Sequence, residues 1–133
     1  MKVLRPKSLV LDAGALRAAE ADPHGQVWYL CREANAGGLQ PVIPSIVLAR
    51  IWRGGARQAG VARIVKACEV VGVDHSMALR LGTLLGVAGT RDVVDGVVVL
   101  LAMERNATVV TSDPGDIGKI ADSVQGRVPT IVV

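Results

Sequence analysis

The sequence predicts an α/β fold with a central parallel sheet, and three features predict it. Short β-branched or aliphatic runs alternate with helix-length stretches along all 133 residues. Two of those runs, SLVL and TVV, stop abruptly before an aspartate, Asp12 and Asp113. A buried strand that ends this way delivers a carboxylate to the C-terminal edge of a sheet, where open parallel sheets bind ligands. Half of the residues are apolar, yet Phe is absent and Trp28, Tyr29 and Trp52 are the only aromatics. The core is therefore aliphatic, and a chain of this length is expected to bury it as one domain, 1–133.

In chain order, residues 8–11 make the first strand and 13–20 a short helix, broken at Asp22-Pro23-His24-Gly25. A second helix is expected from Gln26 to Ala36, with Val27, Leu30, Cys31 and Ala34 at helical spacing. Gly37-Gly38 ends it. Leu39 to Ile43 is extended, and Pro44-Ser45 opens a helix that Gly54-Gly55 stops. Another helix is expected from Arg57 to Ala67, and a strand from Glu69 to Val73. Asp74-His75-Ser76 caps a helix running to about Val87. VVDGVVVLLAM is Val-rich and holds a glycine, which locally favours a strand. It is too long for one, however, and must cross back to the TVV strand, so a buried helix is predicted. A helix from Pro114 to Val124 and a strand from Thr130 to Val133 close the chain.

No segment is expected to serve as an address or an anchor. The basic opening MKVLRPK is followed by only four uncharged residues before Asp12, too few for a signal-peptide core. The apolar run from Gly96 to Met103 is far short of a membrane span. Cys31 and Cys68 sit in apolar helical contexts and read as reduced thiols of a cytoplasmic protein. His24 and His75 look like turn and cap residues with no zinc-ligand spacing.

The carboxylates are the chemical signal. Taken singly, each has a structural role: Asp92 as a helix N-cap, Asp95 in the first turn, Asp113 as an N-cap ahead of Pro114. Capping does not explain why Asp12 and Asp113 both end apolar strands while Asp95 starts an adjacent helix. Converging carboxylates repel, and one takes up a proton unless a cation is present. Mg²⁺ and Mn²⁺ accept such oxygen ligands together with water and substrate phosphate, and they promote phosphodiester hydrolysis.

LVLDAGAL, IPSIVLARIWRGG and DVVDGVVVLLAMERNATVVTSDPGDI, in that order, resemble the PIN-domain nucleases, and most closely the VapC-type ribonuclease toxins. The resemblance implies a three-layer α/β/α fold with a central parallel sheet, and RNA cleavage by Mg²⁺ or Mn²⁺ held among acids. It implies a homodimer silenced by a cognate VapB-like antitoxin. It assigns Asp12, Asp95 and Asp113 as the catalytic acids, Asp92 and Asp116 as further metal acids, and Thr111 or Ser112 as orienting groups. The family's second acid belongs in the VLARIW helix, where this chain carries Arg50. A cation about 5 Å from another costs on the order of 3 kcal/mol at an effective dielectric near 20. Arg50 either pairs with Asp12 or Asp95 and takes the metal's place, or extends outward to grip an RNA phosphate.

Residues 41–68 contain no Asp or Glu and carry Arg50, Arg53, Arg57, Arg63 and Lys66, a local +5 against −2 for the remainder. Such a segment suits an RNA backbone, with Arg50 and Arg53 as substrate contacts, or the surface that meets an acidic antitoxin. Trp52 is expected in the core or at a dimer interface, with base stacking as the alternative. A phosphoacceptor receiver domain also gathers aspartates at strand ends, but its early acid pair and late lysine are not in place. The expected function is a metal-dependent endoribonuclease toxin. The alternative is a PIN-fold protein, weakened by Arg50, that binds antitoxin or RNA.

Overall fold

A computed structural model of the protein describes residues 8–133, so the basic opening MKVLRPK lies outside the described residues. Five strands alternate with helices along the chain: β1 (Leu9–Leu11), β2 (Val42–Pro44), β3 (Glu69–Val71), β4 (Thr108–Thr111) and β5 (Thr130–Val132). They form one sheet in the order β3-β2-β1-β4-β5, with every neighbouring pair parallel. The central strands β1, β2 and β4 are buried throughout, as their unbroken apolar runs require. The edge strands β3 and β5 are not, so Val70 and Val132 stay exposed.

Seven α-helices flank the sheet among the described residues, giving a three-layer α/β/α architecture. They are α1 (Ala13–Ala21), α2 (Gln26–Ala36), α3 (Ser45–Ile51), α4 (Ala59–Lys66), α5 (His75–Ala88), α6 (Val93–Arg105) and α7 (Pro114–Ser123). The segment expected as one helix from Arg57 starts instead as a 3-10 turn, Ala56–Gln58, before α4. The Gln58 side chain explains the change. Its Oε1 accepts the Arg53 and Gly54 backbone N–H groups at 2.7 and 3.0 Å, and its Nε2 donates to the Ile51 carbonyl at 2.8 Å. That buried amide fastens the Gly54-Gly55 loop, where both glycines have positive φ.

The Val-rich segment is the buried helix α6, whose Gly96 to Ala102 are all buried. A Cβ on Gly96 would stand 2.9 Å from Leu81 Cδ1 and 2.6 Å from Leu85 Cδ2, so the glycine is what lets α6 lie against α5. Burial of seven consecutive residues outweighs the weak helix propensity of valine. No helix among the described residues is long and apolar enough to cross a membrane.

Cys31 and Cys68 are buried and unbridged, with the Cys68 thiol hydrogen-bonded to Cys31 and raised above the ordinary range by that bond and by burial. Trp28, not Trp52, is the tryptophan packed on the core. Its Nε1 donates to the Ala19 carbonyl at 3.0 Å, and the Arg63 guanidinium stands 5.5 Å from its ring centre. Trp52 follows the last residue of α3 and is 42% exposed, so a core role for it is corrected.

Candidate metal centre

The chain runs outward from β1 to β2 and β3, then returns to the other side of β1 for β4 and β5. The order therefore reverses between β1 and β4, and the crevice beyond their C-terminal ends is where this class of sheet binds ligands. Asp12 follows the last residue of β1, and Asp113 lies two residues beyond the end of β4. Asp92 and Asp95 start α6, while Asp116 lies in the first turn of α7. All five aspartates line one cavity of about 200 Å³, together with Gly14, Arg17, Arg50 and Ser112. Asp92, Asp95 and Asp116 also border a neighbouring cavity of about 310 Å³ that reaches Thr90 and Lys119.

Each acid is held differently. Asp12 is buried and caps α1, its Oδ1 accepting the Ala15 backbone N–H at 3.0 Å. Burial raises its pKa, while hydrogen bonds from Thr111, Ala15 and Gly14 pull it back down. Thr111 is fully buried at the end of β4, and its hydroxyl also accepts the Asp113 backbone N–H at 2.9 Å. One side chain thus links the ends of β1 and β4. Asp92 Oδ1 accepts the Asp95 backbone N–H at 3.0 Å and caps α6. Asp113 precedes Pro114 as a cap would, yet its side chain makes no capping bond. That carboxylate is hydrogen-bonded instead to the side chain of Asp116.

The charges act on one another. Asp95 is pushed up to about 7, first by burial, then by the negative charge of Asp92, a side-chain hydrogen bond with it, and the charges of Asp116 and Asp12. Asp116 is raised chiefly by its side-chain hydrogen bond with Asp113. Among the described residues, no three side chains of the ligating types are placed to hold one ion between them as they stand. The five acids share a cavity without being closed on a single point.

Gly14 sets the depth of the crevice. A Cβ there would stand 2.8 Å from Ser112 Cβ and 2.9 Å from Ser112 N, so only glycine lets α1 approach the loop after β4 this closely.

Arg50 lines the cavity, but among the described residues the only ion pairs are Arg80–Glu104 and Arg105–Glu69. The alternative in which Arg50 pairs with Asp12 or Asp95 is therefore not the arrangement seen. Arg53 is not brought to the cavity. Its Nη1 folds back onto the carbonyls of Ala49 and Trp52, at 3.1 and 2.7 Å, closing the C-terminal end of α3. Arg17 was not singled out by the sequence. Its signal is spacing: Ala13, Gly14 and Arg17 lie three and four residues apart on α1, and all three line the cavity.

A third cavity, of about 500 Å³ and almost wholly apolar, lies between α3 and α4. It is lined by Leu48, Ala49, Trp52, Ala62 and Val65, with Ser45 and Lys66 at its polar margin.

No family model matches the chain, and no curated protein matches it. Among solved structures, the chain is similar to PAE2754 from Pyrobaculum aerophilum, known from a crystal structure. The two are 13% identical, with 92% of this chain and 90% of that one covered at a TM-score of 0.61. At that identity the likeness concerns the fold alone, the three-layer α/β/α architecture.

Proposed function

We propose that the chain is a Mg²⁺- or Mn²⁺-dependent endoribonuclease of the PIN-domain, VapC-type kind, hydrolysing RNA phosphodiester bonds. The observation that carries this reading is the gathering of Asp12, Asp92, Asp95, Asp113 and Asp116 on one cavity at the β1/β4 crevice. The donor set fits a hard divalent cation, which takes carboxylate oxygens and keeps several waters. Asp113 and Asp116 are exposed, and no capping bond ties the Asp113 side chain, so both can turn inward; Asp92 spends one oxygen on its cap.

Bound there, the ion would polarise a phosphoryl oxygen and make water a competent nucleophile near neutral pH. Asp12, Asp95 and Asp113 would hold it, with Asp92 and Asp116 in support and Ser112 at the rim orienting a carboxylate or the attacking water. Asp95, raised to about 7, is partly protonated near neutral pH when no cation faces it, and would yield that proton to solvent as positive charge entered. Arg50, on the cavity wall and in no ion pair among the described residues, would face the phosphate.

The same reading supplies partners. The apolar groove between α3 and α4, on the acid-free stretch 41–68, suits an acidic amphipathic segment of a VapB-like antitoxin. The exposed Leu79 and Val87 of α5 suit a homodimer contact.

Single-turnover cleavage of RNA with Mg²⁺ or Mn²⁺ is the test. Asp95→Asn and Asp113→Asn are each expected to slow cleavage by on the order of 10²-fold or more. A variant as fast as the parent overturns the assignment.

Two observations favour a second reading, a PIN-fold protein that binds RNA or antitoxin and cleaves weakly. Arg50 stands in the cavity, and no three acids are closed on one point. Titration calorimetry with Mn²⁺ separates the two. Tight binding by Arg50→Glu but not by the parent selects the second.

A further inference from the structure

We propose that Arg17 and Arg50 together form a phosphate clamp on the wall of the acid cavity that engages RNA without any metal ion. The inference rests on the RNA-directed reading of that cavity and adds a binding step to it.

Both arginines line the cavity that five aspartates share, and both are exposed to solvent. Arginines so close to carboxylates ordinarily collapse onto them in bidentate pairs. Neither does so: the ion pairs among the described residues lie elsewhere, at Arg80–Glu104 and Arg105–Glu69. The acids meanwhile hydrogen-bond backbone N–H groups, Thr111 and one another. Two cations are thus held beside an anionic cluster with their hydrogen-bonding forks uncommitted among the described residues.

Helix electrostatics accounts for one of them at most. Arg50 lies in the last turn of α3, where a cation suits the carbonyl end. Arg17 lies in the middle of α1, where no such effect operates. What the two share is a bank of the cavity, because α1 packs against α3. Arg50 also belongs to a stretch with no acid of its own to compete for it. A group presented to both would be an oxyanion with several acceptors, and a phosphodiester supplies two non-bridging oxygens to two guanidinium forks. The clamp would hold a phosphate on the rim while the aspartates stay below for the cation, which gives Arg50 a task at the position where a further acid was expected.

The test is fluorescence anisotropy of a short labelled single-stranded RNA, titrated with the full chain in EDTA over a range of salt. The parent is expected to bind. Arg17→Gln and Arg50→Gln should each weaken binding by about tenfold, as loss of a charge-assisted hydrogen bond does. Each should also flatten the dependence of log K on log salt by about 0.7, the value for one phosphate contact on a single strand. Arg57→Gln removes an equal charge outside the cavity and should do neither to that extent. Equal effects from Arg57→Gln, or unchanged affinity in the two cavity variants, overturn the clamp.

Cleavage with Mn²⁺ on the same proteins keeps the two ideas apart. Arginine-dependent binding in EDTA with no cleavage retains the clamp and discards the nuclease. Cleavage with binding indifferent to Arg17 and Arg50 discards the clamp alone.

Discussion

The Asp95 backbone N–H donates to Asp92 Oδ1 at 3.0 Å, so the residue that caps α6 also presses negative charge onto the carboxylate it positions. A stability role and a site role therefore meet in one side chain, and substitution separates them. Asp92→Asn retains the cap, since Asn caps as well as Asp, whereas Asp92→Ala forfeits about 1 kcal/mol. Both should weaken Mn²⁺ binding, by roughly 10- to 100-fold. Denaturant melts and calorimetry on the pair would show Asn stable and Ala not, with metal affinity reduced in each.

Asp95 makes stability depend on pH in a definite direction. Its carboxyl is raised from 3.8 to about 7, so between those values the folded chain holds a proton that the unfolded chain has lost. Its contribution is fully present below the lower value and is lost as pH rises through about 7. Asp95→Asn removes the titration. The expected result is a flatter profile of Tm against pH and, at pH 8 without divalent ions, a Tm higher by about 3 °C. Mn²⁺ should raise the parent's Tm at that pH and the variant's far less. A parent whose Tm climbs from acid to neutral pH relative to Asp95→Asn would contradict the direction.

Gly14 should resist even alanine. The added Cβ meets Ser112 Cβ at 2.8 Å and Ser112 backbone N at 2.9 Å, and backbone yields less easily than a side-chain tip. Overpacking of this kind costs about 1–3 kcal/mol. Because the displaced loop carries Asp113, Gly14→Ala should lose metal affinity as well as stability. Gly82→Ala, where a Cβ meets nothing within 4 Å, is the matched control and should leave both intact.

Gln58 holds the loop after α3 through two accepted N–H groups and one donated bond. Gln58→Ala strands those groups, at a cost of about 1–3 kcal/mol. Urea melts should show the loss. Cleavage by the folded variant should change little, since neither Gln58 nor the loop lines the acid cavity.

Most elements were legible because each carries a local signal. Asp12, Asp74 and Asp92 sit at helix starts and do cap them, and Gly89 and Gly37 mark helix ends. Asp12 and Asp113 were expected at one edge of the sheet because an apolar strand stops shortly before each, and both line the cavity there. What escaped depends on tertiary packing. Arg17 reaches the cavity only because α1 lies against α3. Arg53 shares the basic composition of its neighbours, yet nearby backbone carbonyls claim its guanidinium. Trp52 extends the apolar set Ile46, Val47 and Ile51 in sequence, but α3 ends just before it and leaves it 42% exposed.

The register of the central sheet sets Val10 beside Val109. That pair joins distant parts of the sequence, so the crevice has only one of its walls until β4 arrives. During synthesis Asp12 lacks the other acids of the cavity until α6 and the loop after β4 have been made. Such distant pairing slows assembly. Whatever chemistry the pocket performs is therefore withheld from the nascent chain until β4 has been made and has paired with β1.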